Sequence, residues 1–164
     1  MKDGANMSKR AIYPGTFDPL TLGHLDLIER SSKMFEQIII AIGNNPEKNP
    51  MFNVDERKQM IQKATAHLPN IQIVIFHSLL VDLCKEEKAN IIIRGVRTVT
   101  DFEYEMQMNH ANVSLNKEIE TIFLMPSLET SYISSSVVRA ILKFNGEIDH
   151  LVPNSILNNI KGRK

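Results

Sequence analysis

The 164 residues are 43% hydrophobic, enough for one domain with a substantial core and too few for two. Lysine plus arginine balance aspartate plus glutamate at 19 each, which excludes reliance on broad electrostatic attraction to nucleic acid or an anionic membrane. No run reaches the ~20 apolar residues of a membrane span, and the N-terminus lacks the apolar stretch of a secretory signal, so a cytoplasmic location is expected.

Residues 1–8 are polar, carry a second methionine at Met7, and read as a disordered extension or alternative start ahead of a domain at 9–164. Ala11-Ile12-Tyr13 is the first apolar run. A loop with two prolines and two glycines, Tyr13-Pro14-Gly15-Thr16-Phe17-Asp18-Pro19-Leu20-Thr21-Leu22-Gly23-His24, then leads into a helix marked by Leu25, Ile28 and Phe35. The second run, 38–42, is followed by a loop carrying Lys48. Next comes a helix with Ile61, Ala64 and Leu68 on one face and a capping pair of Asn53 with Glu56 at its start. The run 71–76 precedes an amphipathic helix containing the single cysteine, Cys84, which has no intrachain partner and reads as a small buried apolar residue. Ile91-Ile92-Ile93 leads through Arg94-Gly95-Val96-Arg97 into a helix marked by Phe102, Met106 and Val113, with Thr100 and Glu103 spaced as a capping box. The run 121–125 leads to Ile133-Ser134-Ser135-Ser136 and a last amphipathic helix with Arg139. Short isoleucine- and valine-rich runs alternating with helical periods predict an α/β fold, a Rossmann-like doubly wound sheet of five parallel strands. Every strand-to-helix loop then falls on one edge, where such folds bind ligands.

The chemistry-bearing residues all lie on that edge. Thr16 offers a hydroxyl at a strand end. His24 falls in the first turn of a helix, where the dipole and free N–H groups favour an anion, although a lone histidine there is more often structural. Lys48 can reach the same edge or stay solvated. Arg94 and Arg97 flank a glycine and suit either a carboxylate partner or phosphate oxygens. Glu105 is either a solvated helical residue or a ligand for a sugar or amine. Three serines at a helix start followed by Arg139 favour phosphate over simple capping. The remaining histidines, His67, His77, His110 and His150, have no metal-ligand spacing, and the chain contains no P-loop, Gly-x-Gly-x-x-Gly or His-Glu-x-x-His motif.

Gly15-Thr16-Phe17-Asp18-Pro19 with Thr21-Leu22-Gly23-His24 carries the Thr-x-Gly-His signature of the nucleotidyltransferase superfamily. With Ile93-Arg94-Gly95-Val96-Arg97, Asp101-Phe102-Glu103-Tyr104-Glu105 and Ile133-Ser134-Ser135-Ser136, the chain resembles the phosphopantetheine adenylyltransferases over 9–151. The resemblance implies transfer of the adenylyl group of ATP to 4′-phosphopantetheine, giving dephospho-coenzyme A and pyrophosphate, with Mg2+ carried by the ATP phosphates and water. It implies catalytic roles for Thr16, His24, Lys48 and Arg97, and acceptor binding by Thr16, Lys48, Leu80 and Arg94. It also implies ATP contacts from Thr16, Phe17, His24, Gly95, Val96, Arg97, Glu105, Thr130, Ser131, Tyr132, Ile133, Ser134, Ser135 and Ser136; Thr130 stands where some relatives have tryptophan. A homohexamer and inhibition by coenzyme A follow from the same resemblance. The rival readings are a sister transferase with another acceptor and a non-catalytic nucleotide sensor on the same fold.

Overall fold

The computed structural model describes residues 9–45, 47 and 49–162. The expected extension at 1–8, the last two residues and Lys48 lie outside the described residues. Five strands, β1 (Arg10–Gly15), β2 (Gln37–Gly43), β3 (Ile71–Phe76), β4 (Ile91–Gly95) and β5 (Glu120–Leu124), form one parallel sheet in the order β3-β2-β1-β4-β5. Between and after them come α1 (Leu22–Ser32), α2 (Val54–Ala64), α3 (Leu80–Glu86), α4 (Val99–Leu115), α5 (Ser135–Leu142) and α6 (Leu157–Lys161), the last preceded by a 3-10 turn at Asn154–Ile156.

Alternation along the strands feeds two cores. On β2, Ile38, Ile40 and Ile42 join Leu27 and Ile28 of α1, Met60 and Ile61 of α2, and Val138 of α5. Ile39 and Ala41 face the other way and join Ile12, Ile92 and the α3 residues Val81, Leu83 and Cys84. Burial on both faces is why these strands read as continuous apolar runs rather than as alternating ones. Cys84 is buried, as its neighbours in the sequence predict, and burial pushes its thiol up to about 11.

The order reverses at β1. Strands β2 and β3 lie on one side of it and β4 and β5 on the other, which makes the β1/β4 junction the switch point where a crevice opens. The ladder between β1 and β4 runs only through Ala11↔Ile91 and Ile12↔Ile92, whereas that between β1 and β2 continues to Gly15↔Ile42. The first strand is thus longer than its apolar run, and Pro14 fits in it because the β4 side of the ladder has already ended.

Two expectations about helices are corrected. The capping residue of α4 is Thr98, whose hydroxyl accepts from Asp101 N at 3.1 Å, rather than Thr100 with Glu103. Both spacings satisfy the same local rule, and α4 starts two residues sooner than the pattern suggested. The α4 face marked by Phe102 and Met106 is also not a core face, since α4 has no buried residue and Phe102 is 42% exposed despite its edge contact with Phe123. By contrast, α2 starts with the predicted capping box, Asn53 Oδ1 accepting from Glu56 N at 2.9 Å and Glu56 Oε2 from Asn53 N at 2.7 Å.

Candidate active site

A cleft of about 530 Å³ opens at the carboxyl ends of β1 and β4. Its floor is the loop after β1. The N-termini of α1 and α5 enter from one side and the Arg94-to-Arg97 segment from the other. Thr16, His24, Leu80, Arg94, Gly95, Arg97, Glu105, Ile133, Ser134, Ser135 and Ser136 all line it. Residues separated by more than a hundred positions converge because each follows a strand of one parallel sheet.

The Thr-x-Gly-His segment is the start of α1. Thr21 is the N-cap, its hydroxyl accepting from His24 N at 3.3 Å, while Thr21 N donates to His24 Nδ1 at 3.1 Å. A Cβ on Gly23 would fall 3.2 Å from the Ile133 carbonyl and 3.4 Å from that of Thr130, so glycine lets α1 close on the turn before α5. The ring of His24 meets Phe17 edge-on at 5.1 Å. Because Nδ1 accepts a backbone N–H, the proton of the neutral imidazole sits on Nε2, which is free to donate into the cleft.

Burial, with Arg97 adding a smaller repulsion, lowers the His24 pKa from 6.5 to about 4. The empty cleft therefore holds a neutral imidazole at neutral pH. The unfolded chain takes this proton near pH 6.5 and the folded one only near 4, so the group reduces stability as pH falls through that window. Nitrogen-15 NMR of the ligand-free protein should find His24 as the Nε2–H tautomer, unprotonated at pH 6; an imidazolium there would contradict the capping geometry.

Arg94 and Glu105 form a two-pronged pair at the cleft wall, Nε to Oε2 and Nη2 to Oε1 both at 2.6 Å, and Arg94 Nη1 donates to the Pro14 carbonyl at 3.1 Å. The sequence left Arg94 between a carboxylate and a phosphate partner; without ligand its partner is the carboxylate, and its plane is fixed along the cleft. Arg97 is held more loosely by Asp101 at 3.3 Å. The three serines divide their work. Ser134 caps α5 through Val137 N at 3.2 Å, Ser135 donates to the Pro19 carbonyl at 2.8 Å, and Ser136 accepts from Arg139 at 3.3 Å. Arg139 also donates to the Asp18 carbonyl at 2.6 Å, tying α5 to the loop after β1.

Several predicted ligand residues stand off the cleft. Phe17 turns through a left-handed φ of 51° and buries its ring among Gly15, Tyr13 and His24. Val96 is buried, its N–H bonded to Leu124 O at 3.0 Å. The hydroxyls of Thr130 and Ser131 bond locally to Ser127 and Leu128, and Tyr132 is exposed. Loop packing takes up Phe17 and Val96, and local hydrogen bonds take up the Thr130 and Ser131 hydroxyls, features that motif position does not disclose.

Other residues entered without a sequence prediction. Tyr13, Leu27, Phe76, Met108 and Pro126 supply apolar wall, and burial raises the Tyr13 phenol above its usual range. Buried Asp18 accepts from Met51 N and Phe52 N, both at 2.8 Å. Arg57, also buried, donates to the carbonyls of Thr16, Gly43 and Phe52. Its signal in the sequence was an arginine three and four residues before Met60 and Ile61 on an otherwise apolar stripe.

Comparison with known proteins gives the family. Residues 12–141 match the cytidylyltransferase-like family. The chain is 56% identical over 154 residues to the phosphopantetheine adenylyltransferase of Nautilia profundicola, covering 94% of this chain and 100% of that one. It is 52% identical over 150 residues to the enzyme of the same name from Helicobacter pylori strain J99, covering 92% of this chain and 96% of that one. With the signature loop, the switch-point cleft and near-full-length likeness in agreement, the chain belongs to the phosphopantetheine adenylyltransferases, within the cytidylyltransferase-like family.

Proposed function

We infer that the protein transfers the adenylyl group of ATP to 4′-phosphopantetheine, forming dephospho-coenzyme A and pyrophosphate in coenzyme A biosynthesis. The observation that carries this reading is a cleft built for two polyanions, with two helix N-termini, Arg94, Arg97 and the Nε2–H of His24 around one floor. A phosphate oxygen of the acceptor attacks the α-phosphorus in line. The bond from that phosphorus to the bridging oxygen breaks, and pyrophosphate leaves with the electron pair. The attacking phosphate is already anionic, so neither a general base nor a protein nucleophile is required. What remains is alignment and charge stabilisation.

In this reading Thr16, His24 and Arg97 face the transferring phosphates, Arg94 and Lys48 the acceptor phosphate, and Leu80 the pantetheine arm. Gly95, Val96, Glu105 and the segment 130–136 border the nucleotide, with Phe17, Val96 and Thr130 supplying backbone rather than side chains. Among the described residues no cluster of acidic, histidine or cysteine side chains is arranged to hold a metal ion. In this reading Mg2+ would arrive on the triphosphate, where it would neutralise oxygen charge. Coenzyme A contains both halves of the product and would compete in the same cleft. No helix among the described residues is long and apolar enough to cross a membrane, in keeping with a proposed cytoplasmic location.

Purified protein with magnesium-ATP should release pyrophosphate with 4′-phosphopantetheine and not with nicotinate mononucleotide or a phosphocholine-type acceptor. Release with another acceptor alone would reassign the substrate, and no release with any acceptor would reject transfer.

We also propose a homohexamer of two trimers. Its support is the face of α4 that carries Val99, Phe102 and Met106, three residues at helical spacing that are 75%, 42% and 37% exposed. Light scattering should give six times the chain mass; a monomer at micromolar concentration would remove this proposal.

A further inference from the structure

Arg57 lies on the buried side of α2 at 1% exposure, beside Met60 and Ile61. A charged group persists there only when hydrogen bonds replace its lost water. Its three hydrogen bonds go to main-chain carbonyls: Nε to Phe52 O at 3.0 Å, and Nη1 to Thr16 O at 2.7 Å and Gly43 O at 3.1 Å. Thr16 and Gly43 stand one step beyond Gly15↔Ile42, the last pair of the β1–β2 ladder, and both line the cleft. The guanidinium therefore continues the sheet past its last rung. It also gathers both ends of the segment 43–52 onto the strand end that presents the Thr16 hydroxyl.

We propose that Arg57 is a positioning residue for adenylyl transfer: by clasping the Thr16, Gly43 and Phe52 carbonyls it sets the spacing of the two loops that form the cleft floor, and with it the alignment of donor and acceptor phosphates. It touches no substrate and acts through Thr16 and Gly43. A fork is required, because Nε and Nη1 reach carbonyls in different directions, and the point charge of lysine reproduces only part of that pattern. This inference rests on the transfer reading above.

The test uses full-length wild type, Arg57→Lys, Arg57→Gln and Ile160→Ala, the last a buried truncation in α6 at a residue outside the lining of the cleft. Single-turnover transfer and an independent ATP titration are measured well below every melting temperature. Misalignment of the reacting groups should reduce the rate by about tenfold in Arg57→Lys and up to about 10²-fold in Arg57→Gln, with ATP affinity changed by less than about threefold. Ile160→Ala should turn over like wild type. A wild-type rate in both Arg57 variants would overturn the proposal, as would an equal loss in Ile160→Ala. Failure of both Arg57 variants to fold even in the cold would assign the residue to stability and likewise overturn it. If wild type itself is inactive with every acceptor, the transfer reading fails, an outcome distinguishable from any variant-to-wild-type ratio.

Discussion

Replacing His24 with alanine is expected to lower kcat by on the order of 10²–10³, comparable to removing an oxyanion donor, with a much smaller effect on ATP affinity. The reason is geometric. Thr21 N occupies Nδ1 at 3.1 Å, which leaves Nε2–H as the donor of a residue that lines the cleft, where the proposed transfer shifts negative charge. The imidazole is also half of a reciprocal helix cap, so alanine should cost about 1 kcal/mol of stability as well. His24→Glu separates the two roles, because an ionised glutamate at this position can accept the Thr21 N–H yet has no donor to offer in place of Nε2–H. It should keep the wild-type melt and share most of the loss in turnover. Single-turnover assays with thermal melts on both variants decide the matter. Near-wild-type turnover in either folded variant would remove His24 from the mechanism, and lost ATP affinity at unchanged turnover would make it a ground-state binding residue.

The largest expected effect on stability comes from Asp18→Ala, at about 3 kcal/mol, since charge-assisted hydrogen bonds contribute about 1.5–3 kcal/mol each. The carboxylate is 4% exposed and accepts from the backbone of Met51 and Phe52 at 2.8 Å each, with Arg139 Nη1 3.7 Å from Oδ2. For a domain of this size the melt should drop by about 6–12 °C. Asp18→Asn retains one acceptor oxygen and should fall between. Urea unfolding of the three proteins measures this directly, and a melt of Asp18→Ala within about 2 °C of wild type would show that these bonds contribute nothing net. The two residues form complementary clamps on the same segment, Asp18 holding amides and Arg57 holding carbonyls. The loop after β1 is thereby fixed to the segment before α2 by two buried side chains acting on main-chain groups.

The sheet, its parallel sense and the edge that binds were all legible in the chain. Ile38, Ile39, Ile40, Ala41 and Ile42 are buried on both faces, and a strand buried on both faces is written as an unbroken apolar run. The place of His24 in the first turn of α1 was equally legible, whereas the Thr21 cap and the close approach at Gly23 belong to the folded structure. Local pattern also told the α2 cap correctly. It failed at α4, where Thr98 and Thr100 offered equivalent caps and only the path out of β4 chose between them. It failed again on Phe102 and Met106, whose helical spacing is the same whether the face meets the chain's own core or something outside it.

By itself, then, the sequence determined the α/β class, the strand order of events along the chain and the residue types gathered at one sheet edge, because periodicity, capping and strand-end loops depend on neighbours in sequence. Tertiary structure alone decided the rest. It paired Arg94 with Glu105 at the cleft wall, buried Phe17 and Val96 beneath the loops they belong to, set the His24 tautomer through Thr21 N, and brought Arg57 to Thr16 and Gly43. Each of these depends on which carbonyls and amides meet across gaps of chain, and hydrogen-bond partners chosen over such distances leave no period and no motif in the residues that make them.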